Sequence, residues 1–427
     1  MSKTQSKIQK ISITPENQKA LLDRFLRYTA IDTQSENDVD RYPSTEKQKV
    51  LGRILVQELK DLGLSDASMD SYGYVTATLK GNVSAVPAIG FIAHLDTAPD
   101  VSGENVKAIV HQNYRGGEIR FSGAPELILS PEDCPALADC IGEDVITSDG
   151  TTLLGGDDKA GIAAIMTFIE MLGDLGDVPR GDIHIAFTPD EEVGRGTEFF
   201  DTERFGVRYA YTVDGGTRGE LSAETFNANT AIVTIGGINI HPGKAKDIMV
   251  NAIQVLGDFL KRLPRELTPQ ETEDREGFIH PISLEGGVDK VVVKMILRDF
   301  DPEGLDKQKA ILEEALEATR VLHPRAKLEL EIKESYRNMR LHLEQDPRVV
   351  QFAMDAMEEA GLTPVSLPIR GGTDGAELSR KGVLTPNLFY GGSNFHSFTE
   401  WVSLQQMCQA SEVLVRLARI WAERGKK

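Results

Sequence analysis

The sequence predicts an α/β fold: a mostly parallel sheet covered by helices, interrupted by an inserted βαββαβ unit of the ferredoxin-like kind. Three observations predict it. Short apolar runs bounded by Gly, Asp or Pro recur along the chain, as buried strands do. Helical patterns lie between them, and that alternation favours a mostly parallel sheet covered on both faces. A middle stretch departs from it and follows the order βαββαβ. The 427 residues suit two or three domains. The expected organisation is 1–223 for the first part of the larger domain, 224–337 for the insertion and 338–427 for the second part.

The elements follow from local patterns. After Pro43, the positions Val50, Leu51, Ile54, Leu55 and Leu59 repeat at helical spacing, with Ser44 or Thr45 as the expected cap. Ala88–Ala93, Asp182–Phe187 and Tyr209–Val213 read as buried strands. Lys159–Leu172 is helical, with Ile162, Ile165, Met166 and Ile169 on one face. Val145–Thr147 and Thr152–Leu154 around Asp149-Gly150 read as a hairpin, either a surface decoration or a flap. In the insertion, Thr230–Ile235, Pro281–Leu284, Lys290–Arg298 and Lys327–Lys333 read as strands. Lys246–Leu263 reads as a helix with Ile248, Ala252, Leu256, Phe259 and Leu263 on one side. A second helix starts after Asp301-Pro302 and stops before Pro324.

Composition narrows the function classes. Hydrophobic residues make up 40% and charged residues 26%, ordinary for a globular protein. Acids outnumber bases 66 to 47, a net charge of −19 that repels nucleic acid and anionic membranes. Cys134, Cys140 and Cys408 are too few and odd in number for a disulfide framework, which suits a reducing compartment. Met1–Lys19 is polar with no apolar signal-like core, and no apolar run spans a membrane. The expectation is a cytoplasmic protein with neither nucleic acid nor membrane as partner.

Acids and histidines gather in segments that follow predicted strands or join elements, the edge where open α/β sheets bind ligands. They are His94-Leu95-Asp96, Gly155-Gly156-Asp157-Asp158-Lys159-Ala160-Gly161, Pro189-Asp190-Glu191-Glu192, Asp214-Gly215-Gly216 and Gly391-Gly392-Ser393-Asn394-Phe395-His396. Each alone has an ordinary explanation: a polar pair, an acidic helix cap, a solvated loop, a turn, a structural histidine. Together, two histidines and three carboxylates from separate segments make the donor set of a two-metal site with one bridging acid. Nitrogen and oxygen donors without thiolate suit zinc, with Co2+ or Mn2+ as substitutes. Paired metals share an activated water and polarise a carbonyl, and a nearby free glutamate serves as general base.

The order of these motifs resembles the dinuclear zinc peptidase and deacylase family that includes acetylornithine deacetylase. Longer strings resemble its peptidase T branch, tripeptide aminopeptidases. These strings are His94 to Gly103, Leu154 to Gly161, Asn239-Ile240-His241-Pro242-Gly243, Arg298-Asp299-Phe300 and Arg370-Gly371-Gly372-Thr373-Asp374-Gly375. The resemblance runs from the helix after Pro43 to His396. Gly156 departs from it, since alanine is expected there.

The resemblance implies two Zn2+ per subunit and hydrolysis of the N-terminal residue from tripeptides. It implies His94, Asp157 and Asp214 on one zinc, Glu192 and His396 on the other, and Asp157 bridging. It implies Glu191 as general base, Asp96 behind His94, and a cis peptide between Asp157 and Asp158. The insertion would be a lid and dimerisation domain in a homodimer. His241 would reach the partner subunit's site to steady the oxyanion, and Arg298 and Arg370 would grip the substrate carboxylate. Two alternatives stay open. One is another amidohydrolase of the family: a dipeptidase, carboxypeptidase or N-acyl deacylase. The other is a non-catalytic peptide-binding dimer, which ranks last because Glu191 and all five candidate ligands are present.

Overall fold

A computed structural model describes residues 11–426. Residues 1–10, part of the polar Met1–Lys19 segment, and Lys427 lie outside the described residues. The chain forms two compact units. The first comprises the chain up to Ala223, His342–Leu367 and the chain from Thr373 onward. The second comprises Glu224–Leu341 and Pro368–Gly372. The second unit therefore extends four residues beyond position 337 and takes back a short later segment.

In the first unit an eight-stranded sheet runs in the order Ser68–Met69, Val75–Leu79, Ile183–Thr188, Ile89–His94, Tyr209–Gly215, Asn387–Phe389, Glu220–Ser222, Val365–Ser366. The four strands from Ile183–Thr188 to Asn387–Phe389 are mutually parallel. Ile89–His94 is buried at every residue, as expected for a strand covered on both faces. Helix Gly156–Leu175 is apolar nearly all round and correspondingly buried. It packs on this sheet and against helices Pro15–Thr29 and Leu404–Arg424. Phe168 on that helix meets Phe91 of the central strand edge to face at 5.0 Å.

Three local expectations are corrected. Helix Gln48–Asp61 buries Leu51, Leu55 and Leu59, whereas Val50 and Ile54 are exposed. No side chain caps this helix; Ser44 is used elsewhere, and the Thr45 hydroxyl donates to the Gln34 carbonyl at 2.7 Å. The hairpin at 145–154 does not form. Val145–Thr147 pairs instead with Ile109–His111 and Trp401–Ser403. Thr152–Leu154 is not a strand, because the Leu154 amide donates to Glu400 at 2.9 Å.

The second unit has an antiparallel sheet ordered Phe278–Gly286, Lys290–Asp299, Asn227–Gly236, Lys327–Tyr336. In chain order that is strand two, three, one, four, the ferredoxin-like arrangement. Helices Ala252–Leu260 and Pro302–Leu322 bury Val255, Leu256, Phe259, Leu312 and Leu316 against Val233, Val293, Met295 and Leu297. The first helix is shorter than the apolar spacing suggests. Val250 is spent on a bridge to Ile238, and Asn251 caps the helix through the Ile253 amide at 3.0 Å. Ile248 is consequently exposed.

Candidate metal centre

The first unit brings the five expected ligands, Glu191 and Asp96 to the C-terminal ends of its parallel strands. His94 ends the central strand, Asp214 lies near the end of its neighbour, and Glu191 and Glu192 follow Ile183–Thr188. Asp157 opens the long buried helix, joined to Asp158 by a cis peptide.

Asp157 stands at the middle of the cluster. Its Oδ1 lies 2.8 Å from His94 Nε2, which in turn lies 3.5 Å from Asp214 Oδ1. Its Oδ2 faces the other way, 3.5 Å from His396 Nε2, which lies 2.8 Å from Glu192 Oε2. Single donor atoms of His94, Asp157 and Glu192 all lie within 4.8 Å of one another, as do those of His94, Asp158 and Asp214.

Asp96 organises this pocket from behind. It is fully buried, and its two oxygens accept from the Glu191 and Glu192 amides at 3.0 and 3.1 Å. Its backbone carbonyl and Oδ1 lie 3.1 and 3.4 Å from His94 Nδ1, which leaves Nε2 of the ring for the cluster. Asn387 fixes Asp214 through both backbone groups, accepting from its amide at 3.0 Å and donating to its carbonyl at 2.8 Å.

The cluster is electrostatically crowded. Burial, reinforced by Asp157, pushes Glu192 up to about 8 and Asp214 up to about 7. Burial and the Asp214 charge likewise raise Glu191 and Asp158. Burial disfavours a charged His94, yet Asp214 and Asp157 raise it overall. Asp157 resists its own burial because His396 and His94 hold it charged, well below the usual range. Glu192 Oε1 is buried with no hydrogen-bond partner among the described residues. An excess of crowded oxygens, an orphaned carboxylate oxygen and imidazole nitrogens turned inward are a set that divalent cations satisfy.

Residues 152–420 match Peptidase family M20/M25/M40. The chain is 45% identical to peptidase T of Clostridium acetobutylicum, over 95% of this chain and 99% of that protein. The chain belongs to peptidase family M20/M25/M40. It is also 47% identical to peptidase T of Aliivibrio salmonicida, over 96% of this chain and all of that one. Membership bears out the expected resemblance and the expected enzyme class. Solved M20-like folds agree with the architecture. An aminopeptidase PepT from Bacillus cereus superposes with a TM-score of 0.73 at 24% identity, covering 95% of this chain and 99% of that one. A dinuclear metal binding M20 peptidase from Bacillus subtilis superposes with a TM-score of 0.65 at 13% identity, covering 96% and 99%.

The remaining predicted residues of this M20 chain lie in the second unit. His241 is exposed, and its Nδ1 accepts from the Gly243 amide at 3.1 Å, which leaves Nε2 outward of that turn. Arg298 donates to the Leu297 carbonyl at 2.9 Å and lies over the Tyr336 ring at 5.3 Å. Arg370 donates to the carbonyls of Asp274 and Glu276 at 2.8 and 3.0 Å, so its fork is already engaged.

Sequence reading missed the supporting residues. Asp190, at φ 61°, makes the turn that presents Glu191 and Glu192; aspartate is one of the few residue types that adopt this region readily. Its carboxylate accepts from the Ser44 amide and hydroxyl, each at 2.5 Å, and from Gln48 Nε2 at 2.6 Å. Asp374 accepts from Thr188 Oγ1 at 2.7 Å. Only the positions of Asp190 and Asp374 inside motif strings could have drawn attention to them. Nothing local marks Gln48 or Glu400, and Ser44 stands out only as a candidate helix cap.

Proposed function

We propose that this chain is a cytoplasmic tripeptide aminopeptidase that binds two zinc ions per subunit and works as a homodimer. The observation that carries the reading is the two-faced Asp157 carboxylate, with His94 and Asp214 on one side and His396 and Glu192 on the other. In this reading His94, Asp157 and Asp214 hold one ion, and Glu192, His396 and Asp157 hold the second. When bound, the ions supply Lewis acidity toward the scissile carbonyl and the attacking water.

Glu191 takes a proton from that water and returns it to the leaving amine. Burial first, then Asp214, raises its carboxyl, the direction that suits a base working near neutrality. Asp96 holds the His94 ring and the Glu191 backbone in place. His241 donates to the developing oxyanion from the partner subunit, with the insertion acting as lid and dimerisation domain; this part rests on the family resemblance. Arg298 and Arg370 bind the substrate carboxylate on the same ground, and Arg370 must exchange its carbonyl partners to do so. A guanidinium suits that task because its planar fork matches a carboxylate. The peptidase T relatives support the substrate class.

The test is hydrolysis of trialanine by zinc-loaded protein, beside dialanine, tetra-alanine and N-acetyl-trialanine, with products weighed by mass spectrometry. Release of alanine from the N-terminus of trialanine alone is expected. Cleavage of the acetylated peptide, or preference for dialanine, overturns the substrate and leaves another amidohydrolase of the family. Metal analysis and sedimentation check the two ions and the dimer.

A further inference from the structure

We infer that Glu400 is a positioning residue of the metal centre, holding the Leu154–Asp157 turn so that Asp157 presents one oxygen to each half-site. The inference deepens the reading above and rests on it.

Glu400 is 1% exposed. Its Oε2 accepts from the amides of Leu154 and Gly155 at 2.9 and 2.8 Å, and its Oε1 accepts from the amide of Asp157 at 3.0 Å. Burying a carboxylate is costly unless its oxygens are hydrogen-bonded, and here main-chain donors of one turn bond both. With both oxygens engaged this way, Glu400 shapes the cluster without joining it as a ligand. The turn it holds carries Asp157, whose own oxygens divide between His94 and His396.

Glu400 also reaches the other half of the site through the chain. It stands four residues after His396 and directly before Trp401–Ser403, which pairs with Gly392–Ser393 at the start of the His396 loop. One side chain thus ties the Asp157 turn to the segment bearing His396. Gly156 fits this arrangement. A methyl there would stand 3.0 Å from Glu400 Oε1 and 2.6 Å from Val402 Cγ1, so glycine leaves the carboxylate room to approach. Alanine is the residue the family resemblance leads one to expect at this position.

Glu400→Gln keeps the size and sets an NH2 group against at least one main-chain N–H. The full-length variant, stripped of metal, is titrated with Co2+ followed by visible absorption, and with Zn2+ against a chelator. Expected is a rise of about 10–100-fold in at least one metal dissociation constant, the size typical of lost support behind ligands. The Co2+ spectrum should change, and kcat at saturating metal should fall while KM for trialanine stays within about twofold. Wild-type affinities and spectrum in a folded Glu400→Gln protein overturn the inference, whatever its melting temperature. Should the variant not fold, amide exchange in the wild-type protein decides: Leu154, Gly155 and Asp157 are expected to be protected before metal is added, and fast exchange overturns the inference. A wild-type protein that binds fewer than two ions overturns the two-metal reading, and with it this inference; wild-type binding of two ions with an unaffected variant overturns this inference alone.

Discussion

At the scale of single residues, the proposed reading gives two adjacent glutamates different duties. Glu192 Oε2 lies 2.8 Å from His396 Nε2, whereas Glu191 is a raised carboxyl beside Asp214 with no ligand role assigned. Glu191→Gln should therefore keep both metal ions and lose about 10²–10⁴-fold in kcat on trialanine, the range for a general acid–base group. Glu192→Gln should instead lose metal. Equal metal loss in both variants, measured by titration, would sink the division of labour. Adjacency made the pair visible in the sequence. The family resemblance pairs Glu192 with His396, but local spacing alone does not distinguish the two glutamates, which follow a turn at Asp190 with φ 61°.

At the scale of elements, the loop after Ile183–Thr188 is set by the chain ahead of helix Gln48–Asp61. Ser44 and Gln48 grip Asp190, and the Asp190 amide donates back to Gln48 Oε1 at 3.1 Å. Ser44→Ala removes a donor from a buried carboxylate, which should cost about 1–3 kcal/mol in denaturant unfolding. It should also lower kcat, by up to about 10²-fold if Glu191 is displaced by an ångström, with metal occupancy kept. Unchanged stability and rate would show that the clamp is incidental. The helical spacing after Pro43 was legible and Leu51, Leu55 and Leu59 are buried as read. The use of Ser44 was not, because a serine ahead of a helix has the same local pattern whether it caps or reaches across the fold.

At the scale of the whole molecule, the metal-free protein carries more protons than its unfolded chain near neutral pH. Glu192 at about 8 and Asp214 at about 7 are raised by burial and Asp157, and His396 is raised by Asp157 and Glu192. A folded state with raised pKa values gains stability below the unfolded values and loses it as pH climbs through the folded ones. His111, His184 and His342, lowered mainly by burial, act the other way, around and below the ordinary imidazole range near 6.5. Lys159, lowered by burial to about 8, opposes the trend around that pH, where it is outnumbered by Glu192, Asp214 and His396. The melting temperature of chelator-treated protein should thus fall between pH 7 and 8.5. Zinc-loaded protein should fall less, because the cations replace protons the site would otherwise hold. Parallel slopes with and without zinc would contradict this account.

The residue types, their order and the strand ends that carry them are written along the chain, since each depends only on neighbours a few positions away. They were enough to read an α/β fold with an inserted βαββαβ segment, a donor set free of thiolate and a candidate base. The contacts that aim those donors join distant positions: Ser44 and Asp190 are 146 residues apart, and Asp157 and Glu400 are 243 apart. No local pattern encodes such pairs. The failed hairpin at 145–154 shows the same limit, because the Leu154 amide donates to Glu400, 246 residues away. Buried main-chain donors must find acceptors, and only the folded chain determines which acceptor arrives.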